Sequence, residues 1–211
     1  MTTAIIGTGN IGSIIAQDLA AGGEELIIAG HDLDKAAALA GAVGAGARAA
    51  DARTAISEAD IVIFAVWFDV SKKLIEENLD ALDGKIVVDP SNPLGPDGKG
   101  GFAKILAPEE SSGQILSAKL PAGASLVKAF GTLDARTFKV SARKDPAIAL
   151  LYAADDTAAG DAVAALIRSA GFAPVRVGGL DQSVRIEVFG DLHEIGGLGK
   201  AVTEEEARAA L

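Results

Sequence analysis

The sequence predicts an α/β protein built on a doubly wound, mostly parallel sheet, and three observations carry that expectation. Short apolar runs rich in β-branched residues alternate with helix-periodic segments from the first residue onward. The first of these runs leads into a glycine-rich turn that opens a helix, Gly7-Thr8-Gly9-Asn10-Ile11-Gly12. Residues 61–66 (IVIFAV) are apolar throughout, as a parallel strand covered on both faces has to be.

Taken in order, residues 1–7 (MTTAIIG) read as a short buried strand. Ile11, Ile14, Ile15 and Leu19 then recur at helical spacing until Gly22-Gly23 stops them. A second strand is expected at 25–29 and an alanine-rich helix at 34–40. A short strand at 47–49, a helix near 54–58, the 61–66 strand, a surface helix at 71–82 and a strand at 85–88 (KIVV) follow. Residues 89–101 hold Pro90, Pro93 and Pro96 and read as loop. Beyond it come a helix over 109–120, strands at 125–130 (SLVKAF) and 147–153, and a helix at 157–170 capped by Asp155 or Asp156. The last strand is expected at 174–177. Residues 180–195 read as helix, and Thr203 with Glu206 has the spacing of a capping box. The expected organisation is one Rossmann-type domain over 1–211 with a short C-terminal helical extension from about 180.

Composition narrows the function. The chain has no cysteine, which excludes disulfides, a thiolate nucleophile and sulfur-ligated metal centres. His31 and His193 are the only histidines, so no metal site is expected. Nineteen basic residues against 29 acidic ones, a formal charge of −10, argue against a nucleic-acid partner. The first basic residue is Lys35, so no secretory leader is read, and the 59–68 run is too short to span a bilayer. A cytoplasmic protein without a membrane partner is expected, and the small size with a helical C-terminus points to a homodimer.

The glycine turn carries the chemistry. Gly7 permits a tight strand-to-helix turn, Gly9 lets backbone approach a pyrophosphate, and Gly12 lets helix and strand pack closely. The free N–H groups and dipole of the helix N-terminus favour phosphate, with Thr8, Asn10 and Ile11 completing the turn. The end of the second strand selects between NAD and NADP. Gly30 stands where an acid would hold a ribose hydroxyl, and His31 with Lys35 can receive a phosphate, which points to NADP. Asp32 is either that acid displaced along the chain, leaving NAD open, or the cap of the next helix.

Five strings in order resemble the NADP oxidoreductase, coenzyme F420-dependent family. They are I-I-G-T-G-N-I-G (5–12), D-I-V-I-F-A-V running into Trp67-Phe68 (60–68), K-I-V-V-D-P-S-N-P (85–93), V-K-A-F-G-T (127–132) and A-G-F-x-P-V-x-x-G-x-L (170–180). The resemblance implies a short Rossmann protein that passes hydride directly between NADP(H) and a second redox partner, F420 among the candidates. It implies that Ala65, Val66, Trp67, Asn92 and Pro93 line the nicotinamide side. Phe130, Gly131 and Thr132 would face the second substrate. Where the family commonly reads K-A-F-N-T, this chain has Gly131.

Other residues admit two readings. Trp67-Phe68 is either a hydrophobic wall for a planar ring or ordinary core packing. Lys128, a charge inside a strand, either holds an anionic substrate group or projects from the strand end. His193 is either a general acid for a carbonyl or imine substrate, or part of a polar helix surface or subunit contact. Asp191, His193 and Glu194 on one helix would not converge on a metal. The expected function is an NADP-dependent oxidoreductase acting on F420, a flavin or a small carbonyl or imine compound. The alternative is a non-catalytic dinucleotide-binding redox sensor.

Overall fold

In the computed structural model, which describes residues 1–44 and 46–211, an eight-stranded sheet runs through the molecule with helices on both faces. Strands β1 (Thr3–Ile6), β2 (Leu26–Ala29) and β3 (Arg48–Ala49) alternate with helices α1 (Asn10–Ala21), α2 (Leu33–Val43) and α3 (Ala52–Glu58). Next come β4 (Ile61–Phe64), α4 (Phe68–Glu77), α5 (Leu79–Leu82) and β5 (Ile86–Asp89). A hairpin of β6 (Leu94–Pro96) and β7 (Phe102–Lys104) leads to α6 (Ser112–Ser117) and β8 (Ser125–Lys128). The chain closes with α7 (Ala135–Ser141), β9 (Ala149–Ala154), α8 (Thr157–Ser169), β10 (Ala173–Gly178), α9 (Ser183–Ile186) and α10 (Glu204–Ala209).

The sheet order is β10-β9-β8-β5-β4-β1-β2-β3. All neighbours pair in parallel except β8 and β9, where the direction reverses. Alternation along the central strands explains both faces. Ile5, Ile61, Ile63 and Val88 pack on α1, α2 and α8 through Ile15, Leu19, Ala36 and Val163. Ala4, Ile6, Val62, Phe64 and Val87 pack on the opposite side with Ile56, Phe68, Ile75 and Leu116. Because the β1-to-β2 crossover, α1, and the β3-to-β4 crossover, α3, lie on opposite faces, the carboxyl ends of the adjacent strands β1 and β4 form the topological switch point at which such sheets bind ligands.

Several expected elements differ. The 71–82 helix begins earlier, at Phe68, and breaks at Asn78, whose Nδ2 donates to the Leu74 carbonyl at 2.9 Å. The 89–101 loop contains the β6–β7 hairpin, its turn held by Asp97 Oδ1 accepting from the Lys99 and Gly101 amides. The 109–120 helix shrinks to Ser112–Ser117. The SLVKAF strand ends at Lys128, because Phe130 takes a left-handed φ of 64° that no strand can contain. Helix α7 was not expected; Asp134 caps it. The 180–195 helix is one 3₁₀ turn, Leu180–Gln182, followed by α9, and then irregular chain. It stops there because the Val188 amide donates to Asn92 Oδ1 at 2.7 Å and His193 turns inward, replacing helical hydrogen bonds with long-range ones. The capping box at Thr203 and Glu206 forms, and Asp156 rather than Asp155 caps α8. Among the described residues no helix is long and apolar enough to cross a membrane.

Candidate active site

The glycine turn is set by steric necessity at two positions and by openness at the third. Gly7 leaves β1 with φ +123°, and a Cβ there would lie 2.2 Å from the Ala65 carbonyl oxygen. A Cβ at Gly12 would stand 2.0 Å from the Gly7 carbonyl oxygen, so α1 rests on its own entry turn. A Cβ at Gly9 would meet nothing within 4 Å. Gly9 is the N-cap of α1 and offers no side-chain cap, so the first-turn N–H groups have no acceptor in the helix.

That turn forms one wall of a cleft of about 660 Å³ over the carboxyl ends of the central strands. Gly7, Thr8, Gly9, Asn10 and Ile11 line it, together with His31 and Lys35 at the end of β2. Ala65, Val66, Trp67 and Val70 line it after β4, and Pro90, Ser91, Asn92 and Leu94 after β5. Phe130, Gly131, Leu133 and Ala135 complete it after β8. Gly12 lies beneath the wall rather than on it. Lys35 and His31 are the basic side chains on the lining, both at the β2 end; the region between Trp67 and Leu133 is mostly apolar.

At the β2 end, Asp32 takes the cap role. Its Oδ1 accepts from the Lys35 amide at 3.1 Å, and that backbone hydrogen bond holds its carboxyl below the usual range. Asp32 does not line the cleft, whereas His31 and Lys35 do. Gly30 is also off the lining, with its missing Cβ facing the Thr8 side chain at 3.4 Å.

Trp67 and Phe68 part company. Trp67 is 63% exposed at the rim of the cleft, while Phe68 is buried in the core under α4, with Lys72 Nζ 4.7 Å from its ring centre. The core-packing reading holds for Phe68, whereas Trp67 stands outside the core on the lining of the cleft. Asn92 lines the cleft, but its side chain is a staple, Nδ2 donating to the Gly131 carbonyl at 3.0 Å and Oδ1 accepting from Val188. Pro93 is buried behind it and off the lining. Phe130 and Gly131 face the cleft, and Thr132 is buried outside it. A Cβ at residue 131 would come within 2.7 Å of the Pro90 carbonyl oxygen, so the β8 loop and the β5 loop approach too closely for Asn there.

Two sequence expectations are corrected. Lys128 neither reaches the cleft nor projects from the strand end. It is 1% exposed, with Nζ 2.8 Å from Asp89 Oδ2 and 3.7 Å from Glu187 Oε1. His193 lies neither on the cleft nor on a helix surface. Its Nδ1 accepts from the Ile195 amide at 2.8 Å, so Nε2 carries the proton and donates to the Gly131 carbonyl at 3.0 Å. Burial lowers its pKa and keeps the ring neutral, and its single N–H is already committed to backbone. Asp191 pairs with Arg185, and Glu194 accepts from the Asp134 amide and the Thr137 hydroxyl, so those three side chains diverge.

Val70, Pro90, Ser91, Leu94, Leu133 and Ala135 are lining residues that the sequence reading missed. Pro90 and Ser91 lay inside the quoted K-I-V-V-D-P-S-N-P string. Leu133 and Ala135 flank Asp134, whose capping position announces α7.

A model of the family described as NADP oxidoreductase, coenzyme F420-dependent, matches residues 2–93. A search of curated proteins finds no match. Among solved structures, hypothetical protein SMa0349 of Sinorhizobium meliloti is 30% identical with a TM-score of 0.84, over 97% of this chain and 96% of that one. A provisionally named F420-dependent NADP reductase from Arthrobacter sp. FB24 is 24% identical with a TM-score of 0.72, over 86% of each chain. A pyrroline-5-carboxylate reductase from Coxiella burnetii shares the fold at 20% identity and a TM-score of 0.64, over 85% of this chain and 60% of that longer one. The glycine turn at the switch point, the cleft above it and the match agree: over residues 2–93 the chain is similar to the NADP oxidoreductase, coenzyme F420-dependent family.

Proposed function

We propose that the protein is an NADP-dependent oxidoreductase that transfers hydride between NADP(H) and a second acceptor, F420, a flavin or a small carbonyl or imine compound. The observation that carries the reading is the contrast within the glycine turn: packing explains Gly7 and Gly12, whereas Gly9 faces open space at an uncapped helix N-terminus. A pyrophosphate fits that cradle, since it supplies the negative oxygens that the free N–H groups and the helix dipole favour.

In this reading Gly7 to Gly12 hold the pyrophosphate, and His31 and Lys35 meet the 2′-phosphate of the adenosine ribose. Ala65, Val66 and Trp67 with Ser91 and Asn92 orient the ring end, and Phe130 and Gly131 face the acceptor. Bound NADP(H) supplies the hydride chemistry. The chain contributes alignment and exclusion of water by Val70, Leu94, Phe130 and Leu133. His193 positions the Gly131 carbonyl rather than donating a proton to substrate. Calorimetric titration with NADPH and NADH, followed by an acceptor screen that includes F420, tests the proposal. Tight NADPH binding with turnover is the expected result. Tight binding with no acceptor reduced points to the redox-sensor function, and no dinucleotide binding overturns both.

A further inference from the structure

Behind the cleft lies a group of ionisable side chains that the proposed function does not use. Asp89, Lys128 and Glu187 are each at most 1% exposed. Ser112 Oγ sits among them, 2.8 Å from Asp89 Oδ2, Glu187 Oε1 and Lys128 Nζ. Burying three ionisable groups costs several kcal/mol per ion before pairing recovers it, and an apolar cluster of similar volume would often be as stable. The group therefore has a consequence for the shape of the cleft wall.

That consequence is at Ser91. The Ser91 amide donates to Asp89 Oδ1 at 2.9 Å, and the Ser91 carbonyl accepts from Lys128 Nζ. Both backbone groups of one cleft-lining residue are thus held from behind by a buried ion pair. Its neighbour Asn92 has its side-chain amide spent on Gly131 and Val188. The Ser91 hydroxyl, buried and without a partner among the described residues, is the polar side-chain group of this stretch left free.

Resting on the dinucleotide reading above, we infer that Asp89 and Lys128 are positioning residues that fix the 90–92 stretch as the wall for the ring end of the dinucleotide. Ser91 is its specificity-determining contact, its hydroxyl held ready for the carboxamide of a nicotinamide ring. The grip leaves the pyrophosphate and adenosine subsites alone, because those are built from β1, α1 and β2. The ring end and the adenosine end therefore respond separately to changes in the buried group.

The test compares the preferred dinucleotide, NADPH or NADH, with its nicotinamide-free counterpart, 2′-phospho-ADP-ribose or ADP-ribose, by calorimetry on the full chain. Lys128→Met is expected to weaken the dinucleotide about tenfold, the equivalent of one or two hydrogen bonds, and to leave the counterpart within about twofold. Ser91→Ala is expected to weaken the dinucleotide by about five- to tenfold with the same split. Should Lys128→Met not fold, Lys128→Met with Glu187→Gln removes one charge of each sign and takes its place. Equal losses for both ligands, or no loss for either, overturn the inference, as does a wild-type protein that binds both ligands with equal affinity. A wild-type protein that binds neither overturns the dinucleotide reading itself, and this inference falls with it.

Discussion

The two sides of the cleft solve opposite problems. The front wall, Gly7 to Ile11 with His31 and Lys35, is open: it has bare backbone N–H groups, and Lys35 has a side chain 67% exposed. The rear wall is closed, its charges buried in Asp89, Lys128 and Glu187 and its carbonyl at Gly131 gripped by both Asn92 and His193. A front of bare helix N–H groups and an exposed lysine, paired only with Asp32 at 3.6 Å, is suited to receiving a ligand, whereas a rear whose partners are internal is suited to holding shape. Polar residues near a cleft thus divide by whether their hydrogen bonds are already spent.

The sharpest way to break the comparison is to substitute cations on the two sides. Lys128→Met strands Asp89 beside Glu187 and should lower unfolding free energy by about 3–5 kcal/mol in urea titration. Lys35→Met should leave the urea midpoint nearly unchanged and reduce the preference for NADPH over NADH, read by calorimetry. Equal destabilisation by both would erase the distinction between the walls.

Within the glycine turn, Gly9→Val should keep the fold, since the site is empty within 4 Å and the backbone φ of −78° suits any residue. It should nonetheless weaken dinucleotide binding by about 100-fold or more, about 2.7 kcal/mol. Gly12→Ala should do the reverse, lowering the melting temperature through its clash with the Gly7 carbonyl. Retained affinity in Gly9→Val would remove the basis for reading the front wall as a phosphate cradle.

A smaller effect is expected far from the cleft. Burial raises the Asp18 carboxyl to about 6, with Arg143 opposing the shift. The folded state therefore holds this proton more tightly than the unfolded chain does. The stabilisation is complete below about pH 4 and is lost as pH rises through about 6. Asp18→Asn should flatten that part of the stability–pH curve and raise stability at pH 7.5 by about 2 kcal/mol. An unchanged curve would show that Asp18 does not titrate there.

Fold and front wall were legible in the sequence because local rules govern them. A strand, three spaced glycines and an amphipathic helix specify a βα turn whatever surrounds it, and the β-branched runs of β1, β4 and β5 have no other stable use. The rear wall was not legible, because its contacts are long-range. Lys128 meets Glu187, and Gly131 meets His193, across spans of sequence that no periodicity connects. The same cause ends the helix expected over 180–195, where inward hydrogen bonds from Val188 and His193 outweigh helix propensity. The sequence leaves Asp32 two roles, and the hydrogen bond that its carboxylate accepts from the Lys35 amide selects the cap.

Trp67 has an optical consequence. It is the sole tryptophan of the chain and stands exposed on the lip of the cleft. Indole emission overlaps the absorption band of a reduced nicotinamide, so occupancy at this lip should quench the protein's own fluorescence by energy transfer without any added label. The molecule carries its own gauge, and stopped-flow mixing can read from it the rate at which ligand arrives as well as the affinity with which it stays.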